Sequence, residues 1–248
     1  MSLAGYKAHF QKEGSYCFFK IGGFQRFTLI DYPGKVACIV FTQGCNFRCP
    51  YCYNIELVLP ERYGPLIPKE EVFSFLMERR GKLDGVVITG GEPTLQKKGL
   101  ENFVERVKSF GFSVKLDTNG AFPEVVKSLL DKGVVDYIAM DVKAPLKKYQ
   151  QVVRTKVDTK KIEESIGLIM NSGVDYEFRT TVVKDQLSRD DLIRIGILLK
   201  GAKRYYLQRF IPGKTLDPEY IGKTTYTERE FEDTANELKK YVKECYVR

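Results

Sequence analysis

Three of the chain's six cysteines, Cys45, Cys49 and Cys52, fall within eight residues, in the run Gly44-Cys45-Asn46-Phe47-Arg48-Cys49-Pro50-Tyr51-Cys52-Tyr53-Asn54. The apolar run Val36-Ala37-Cys38-Ile39-Val40-Phe41 directly precedes it and reads as a buried strand. A rigid strand therefore delivers a loop that gathers three thiolates at one point. Thiolates are soft ligands that select zinc, copper(I) or iron–sulfur clusters. A structural zinc ion closes its shell with four ligands, and a ferredoxin-type cluster takes four cysteines. No fourth cysteine lies near, and the single histidine, His9, is far upstream. Three thiolates on a cubane cluster leave one iron without a protein ligand. An open metal position is what a site keeps for a substrate or cofactor. The competing reading of the same residues is an incomplete zinc knuckle, although zinc sites usually show paired C-x2-C elements.

Downstream of this loop, strands and helices alternate. Val72, Phe73, Leu76 and Met77 share a helical face within 68–80, and 85–89 reads as a strand buried on both sides. Leu100, Phe103, Val104 and Val107 mark the next helix, followed by a strand at 112–116, a helix at 123–132 and a strand at 134–140. Ile162, Ile166, Ile169 and Met170 line a further helix. Then come a strand at 174–183, a helix at 190–199, a strand at 204–211 and a helix at 228–241. Counted from the strand before the cysteines, these make six strand–helix units. Such alternation implies parallel strands with right-handed crossovers. A closed barrel needs eight units, so the expectation is an α/β fold, a partial (β/α)6 TIM-like barrel. Upstream, 16–21 and 24–30 read as short strands about Gly22-Gly23, a two-residue hairpin signal, and Asp31-Tyr32-Pro33-Gly34 reads as a turn. One domain over 1–248 is expected: a tail at 1–14, an N-terminal β-hairpin extension at 15–34, the barrel core at 35–211 and a helical segment at 212–248.

Composition narrows the class. The net charge is +8, but the lysines and arginines are spread over amphipathic helices, so solvated helix faces explain the charge better than nucleic-acid binding. No apolar run approaches the roughly 18 residues of a membrane span, and the first residues carry no secretory apolar core. Cys17, Cys38 and Cys245 are scattered and read as small buried hydrophobes. Cysteine usage of this kind points to a reducing compartment, the cytoplasm.

Polar residues recur where the predicted strands end, the edge at which parallel α/β proteins build their sites. Gly90-Gly91-Glu92-Pro93, then Asp117, Thr118 and Asn119, then Asp141 and Lys143 follow successive strands; Arg179 lies in the fifth, and Gln208 and Phe210 end the sixth. Gly-Gly alone is compatible with a plain turn, although glycines also let another molecule approach the backbone closely. Asp and Asn favour turns in any case. Arg179 reads equally as an ion-pair partner or as a bidentate carboxylate binder.

The cysteine spacing, with Tyr51 just before the third cysteine, resembles the radical S-adenosylmethionine (SAM) superfamily. The resemblance implies that Cys45, Cys49 and Cys52 hold a 4Fe-4S cluster whose fourth iron is chelated by SAM. Gly90-Gly91-Glu92-Pro93 resembles the motif that contacts the SAM amino group in that family. The runs at Asp117-Thr118-Asn119 and Asp141-Val142-Lys143 resemble glycyl-radical-enzyme activating proteins, in which the first lies beside the SAM ribose and carboxylate. The same resemblance implies a monovalent cation near Asp117 and Asp141, and adenine contacts from Gln208 and Phe210. The reaction implied is one-electron cleavage of SAM to methionine and a 5′-deoxyadenosyl radical, which takes a hydrogen atom from a partner's glycine. The electron donor implied is flavodoxin or ferredoxin. The run from Ile21 to Lys35 resembles the activators of anaerobic ribonucleoside-triphosphate reductase in their longer form, whereas Tyr53 stands where His is expected after the third cysteine. The alternatives are activation of pyruvate formate-lyase or another glycyl radical enzyme, a radical SAM enzyme acting on a small molecule or peptide, and a zinc-stabilised binding module.

Overall fold

Val86, Val87 and Ile88 form an uninterrupted apolar strand because helices or barrel interior cover both of its faces. The computed structural model describes residues 18–248. The expected tail, His9 and Cys17 lie outside the described residues. Eight strands form one sheet in chain order: β1 Ile21–Thr28, β2 Ala37–Thr42, β3 Gly85–Gly90, β4 Ser113–Thr118, β5 Tyr137–Asp141, β6 Asp175–Val182, β7 Arg204–Arg209 and β8 Glu244–Val247. β1 and β2 are antiparallel, and every later pair is parallel. The helices are α1 Ile55–Val58, α2 Lys69–Glu78, α3 Lys97–Ser109, α4 Pro123–Asp131, α5 Tyr149–Val153, α6 Thr159–Met170, α7 Arg189–Leu198 and α8 Glu228–Leu238. The sheet is unclosed, its outer strands being β1 and β8, and the architecture is a partial TIM-like barrel.

Alternation along the strands separates two environments. Cys38, Val40, Val86, Ile88, Ile138 and Met140 join the large core shared with the helices. Ala37, Ile39, Val87, Tyr137 and Ala139 form a smaller cluster with Tyr32. The same period of two carries Lys115, Asp117, Asp141, Glu177 and Arg179 onto the face of this second cluster; Lys115 reaches the Tyr137 ring from that side, at 5.9 Å from its centroid.

Three local expectations change. Gly22-Gly23 is not a turn, because β1 runs through both glycines and pairs with β2, bulging between Ile21 and Gly23. A Cβ at Gly22 would lie 2.6 Å from Leu57 Cδ2, so this glycine admits α1 against the strand. The antiparallel pair turns instead through the predicted 31–34 segment. The parallel strands number seven rather than six, because β8 adds to β7 after α8 and the 212–248 segment is not purely helical. The short α1 and α5 lack the length for a periodic signal.

Candidate active site

The loop bearing the cysteines leaves the C-terminal end of β2 and is tied down on several sides. Gly44 N donates to Leu57 O at 2.7 Å and Arg48 N to Val153 O at 2.9 Å. The Arg48 guanidinium donates to the carbonyls of Cys45 and Phe47, both at 2.8 Å. Asn54 Nδ2 donates to Gly90 O at 3.0 Å, and Asn119 Nδ2 to Asn46 Oδ1 at 2.9 Å. The segment after β7 closes over the loop: Leu216 N donates to Cys52 O at 3.0 Å and Asp217 N to Pro50 O at 2.9 Å. Tyr53 Oη both donates to Ile211 O and accepts from Ile211 N, each at 2.9 Å, while its ring stacks on Phe210 with centroids 6.1 Å apart. The departure at Tyr53 is thus a clasp between the cysteine loop and this segment.

Gly90-Gly91-Glu92-Pro93 is packed against the chain's own backbone. Gly90 has φ +117, and a Cβ there would meet Thr42 N at 2.3 Å; a Cβ at Gly91 would meet Gly44 O at 2.1 Å. The close approach is by the chain's own cysteine loop, sealed by Gly91 N to Thr42 O at 2.9 Å and Glu92 N to Gly44 O at 2.8 Å. Glu92 is 1% exposed. Its carboxylate accepts from Thr94 N at 3.0 Å, from the Thr94 hydroxyl, from Thr118 Oγ1 at 2.7 Å and from Asn119 N at 2.6 Å. Glu92 therefore braces the loops after β3 and β4 together. Burial raises its carboxyl, and the four donors oppose that rise.

A cavity of about 200 Å³ opens at this edge of the sheet. Its walls include Cys45, Cys49, Cys52 and Tyr51 from the cysteine loop, Gly90, Gly91 and Glu92 after β3, Asp117, Thr118 and Asn119 at β4, and Asp141 and Lys143 at β5. Pro93, Arg179, Gln208 and Phe210 do not line it. Phe210 is 1% exposed and packs between Tyr53 and Tyr220, so it serves the core, and Gln208 in β7, just before it, stays outside the walls. Sequence reasoning missed Phe47, Tyr53, Asn54, Val58, Thr89 and Thr181 as lining residues; Thr89 and Thr181 share strand parity with residues already named and were detectable that way.

Arg179 resolves as an ion-pair partner. Its Nε donates to Asp141 Oδ1 at 2.8 Å and its Nη1 to Asp117 Oδ2 at 3.2 Å. Lys115 pairs with Asp117, and Lys143 Nζ reaches Asp141 Oδ2 at 3.0 Å. The Arg179 guanidinium thus bridges the two carboxylates near which the resemblance implied a monovalent ion. Burial alone would raise both carboxyls, but Arg179 with Lys115 and Lys143 outweighs it and holds both below the usual range. Burial works against the charge on Lys143 and Arg179, and the neighbouring carboxylates more than restore it. Asp117, Asp141, Lys143 and Arg179 thus stay ionised as a mutually compensating set.

For the thiols burial wins, although Lys143 partly opposes it at Cys49 and Cys52. Burial pushes Cys45 up to about 12 and Cys49 up to about 11, and raises Cys52. Bound metal supplies the positive charge that a buried thiolate needs. Cys45, Cys49 and Cys52 all line one cavity. Tetrahedral zinc at about 2.3 Å from each sulfur draws its ligands within about 4 Å of one another, whereas a cluster of several irons takes one thiolate at each of separate corners. Tyr51 Oη, buried beside Cys49, makes no hydrogen bond of ordinary geometry. Three soft thiol donors and the buried Tyr51 in one cavity fit an iron–sulfur cluster with room for a second ligand beside it.

The Radical SAM superfamily signature matches residues 39–196, which span β2 to α7 and every cavity residue named above. The chain belongs to the radical SAM superfamily. It is a radical SAM enzyme, and the cofactors of the family are a 4Fe-4S cluster and SAM. A Methanocaldococcus jannaschii protein provisionally named as a glycyl-radical enzyme activating enzyme is 34% identical over 92% of this chain and 95% of its own length. The pyruvate formate-lyase-activating enzyme of Clostridium pasteurianum is 24% identical over 91% of this chain and 97% of its own. Among solved structures, Streptococcus suis SuiB bound to S-adenosylmethionine shares the fold with a TM-score of 0.62 at 15% identity, covering 85% of this chain and 51% of SuiB. No helix among the described residues is long and apolar enough to cross a membrane.

Proposed function

We propose that this enzyme is a glycyl-radical-enzyme activase whose protein substrate is anaerobic ribonucleoside-triphosphate reductase. The observation that carries the activase reading is the near end-to-end likeness to activating enzymes, combined with three thiols lining one cavity at the open edge of an unclosed barrel. Resemblance of the run at 21–35 to the reductase activators supports the choice of partner. An unclosed sheet also leaves room for a partner's loop to reach the cavity.

Cys45, Cys49 and Cys52 would hold the cluster, which with SAM supplies one-electron cleavage of the sulfonium bond. The chain's own residues do the rest. Glu92 and Asn119 fix the loops after β3 and β4 against the cysteine loop, so the ligand arrangement is set before anything binds. Lys143 and Asp141 present paired charge at the wall, the polarity that an amino acid's carboxylate and ammonium require. Tyr53 and the segment after β7 shield the loop carbonyls from water. The donor would be a flavodoxin or ferredoxin, and five described cysteines free of disulfides suit the reducing cytoplasm.

Mixing reduced enzyme, SAM and the reductase without oxygen should give a glycyl EPR doublet on the reductase, with one 5′-deoxyadenosine per radical. A doublet on pyruvate formate-lyase alone would move the partner and keep the chemistry. SAM cleavage with no doublet on any glycyl radical enzyme would overturn the activase reading.

A further inference from the structure

The three cysteine sulfurs receive hydrogen-bond donors in one repeated way, except at the middle one. Phe47 N, two residues on from Cys45, donates to Cys45 Sγ at 3.4 Å. The backbone of Asn54, two residues on from Cys52, does the same for Cys52. At Cys49 the residue two places on is Tyr51, and there the donor is the side chain: its hydroxyl lies close enough to the Cys49 thiol to lower it against burial. That hydroxyl is buried and makes no hydrogen bond of ordinary geometry, and Tyr51 is 4% exposed in the wall of the cysteine cavity. A buried donor without a good partner costs about 1–3 kcal/mol, so its presence calls for a reason.

The charge on the sulfur supplies one. A protonated thiol is a weak acceptor, whereas a metal-bound thiolate is anionic and takes a short, strong bond from a hydroxyl. The turn that carries Tyr51 is held in advance: Cys52 N donates to Cys49 O at 3.0 Å, Asp217 N to Pro50 O at 2.9 Å and Leu216 N to Cys52 O at 3.0 Å. The other groups facing Tyr51 and Cys49 are the Cys52 thiol, the Tyr149 hydroxyl and the ion pair of Lys143 with Asp141 at 3.0 Å. Lysine and aspartate act on Cys49 in opposite senses, which leaves Tyr51 as its local donor.

We infer that the Tyr51 hydroxyl donates to the Cys49 sulfur once that sulfur is a cluster-bound thiolate, and that this bond raises the cluster's reduction potential. Tyr51 acts through Cys49 and not on the substrate. An added electron increases the negative charge on the sulfurs, so a donor at one of them stabilises the reduced state more than the oxidised one. The hydroxyl keeps its proton and no covalent bond is made or broken; a one-electron reductant loses the electron that is gained. The inference needs the cluster and not the partner, so it stands apart from the activase reading.

Tyr51→Phe removes the hydroxyl and keeps the ring. Anaerobically reconstituted enzyme without SAM is titrated with dithionite while EPR follows the reduced cluster. At wild-type iron content the variant should be about tenfold harder to reduce, a midpoint lower by about 59 mV for one electron. Placing 3-fluorotyrosine at position 51 strengthens the donor at nearly the same size, so the midpoint should rise. A Tyr51→Phe midpoint equal to that of wild type overturns the inference. So does a shift that appears only with SAM present, which would make the hydroxyl a SAM contact. If Tyr51→Phe fails to hold iron, the fluorinated residue decides: a higher midpoint sustains the inference, and an unchanged or lower one overturns it. Absence of a glycyl doublet on every partner would sink the activase reading and leave these potentials unaffected.

Discussion

At the residue scale, Glu92 concentrates the most function in one side chain. Four donors from two loops converge on a carboxylate that is fully buried. Glu92→Gln keeps the volume but turns one acceptor into a donor, so an NH2 group must face Asn119 N–H or the Thr118 hydroxyl. Leaving a buried donor unsatisfied costs about 1–3 kcal/mol. Because Asn119 in turn holds Asn46 of the cysteine loop, the loss should appear as weaker SAM binding with iron content retained. Calorimetric titration with SAM beside iron analysis checks this; unchanged affinity would remove the brace from the binding function.

At the scale of elements, α3 and α4 are clamped by one acid. Glu101 on α3 accepts from Ser128 Oγ at 2.8 Å and Lys132 Nζ at 2.8 Å across the gap to α4, and from Lys98 at 3.1 Å. These donors, Lys132 foremost, lower its carboxyl from 4.5 to about 2. A carboxyl lowered in the folded state adds stability that is complete above its unfolded value and lost as pH falls through the folded one. Glu101→Gln should therefore melt below wild type by a constant margin at neutral pH. The margin should shrink between about pH 4.5 and about pH 2. Thermal unfolding at stepped pH measures it, and a margin independent of pH across that interval would show that the charge contributes nothing. The last two long helices begin in capping boxes, Ser188 with Asp191 and Thr227 with Glu230, a signature visible in the residues themselves.

At the scale of the molecule, β8 extends the sheet and brings Arg248 to the inner row of charges. Its guanidinium donates to both oxygens of Glu177, at 3.1 and 3.2 Å, and lies 3.7 Å from the centroid of the Tyr206 ring. Glu177 is 1% exposed and otherwise keeps Tyr137 Oη at 2.8 Å and Arg179 at 4.0 Å. Arg248→Ala should destabilise the fold by about 1–3 kcal/mol, lowering Tm by a few to about ten degrees for a chain of this size. Calorimetry giving an unchanged Tm would mean that the pair is neutral, as some buried pairs are.

The sequence by itself determined the chemistry class and the order of the elements. Three clustered thiols without a fourth imply an open cluster, and periodicities of two and 3.6 separate strands from helices locally. Capping boxes and the strand-end position of Asp117, Asp141 and Lys143 were legible for the same reason: each is a pattern among near neighbours. Tertiary structure alone showed that Gly90 and Gly91 pack against Thr42 and Gly44, since a glycine records that something comes close but not what. It decided that Gly22-Gly23 is a packed strand and not a turn, because Leu57 is remote in sequence from both. It decided that Arg179 belongs to Asp117 and Asp141, because parallel register, fixed only when β5 meets β6, sets Asp141 opposite Arg179. It also made Phe210 core rather than cavity wall, through a stack on Tyr53 that chain order does not encode. Local interactions leave their mark on adjacent residues; contacts between distant segments exist only once the sheet has assembled.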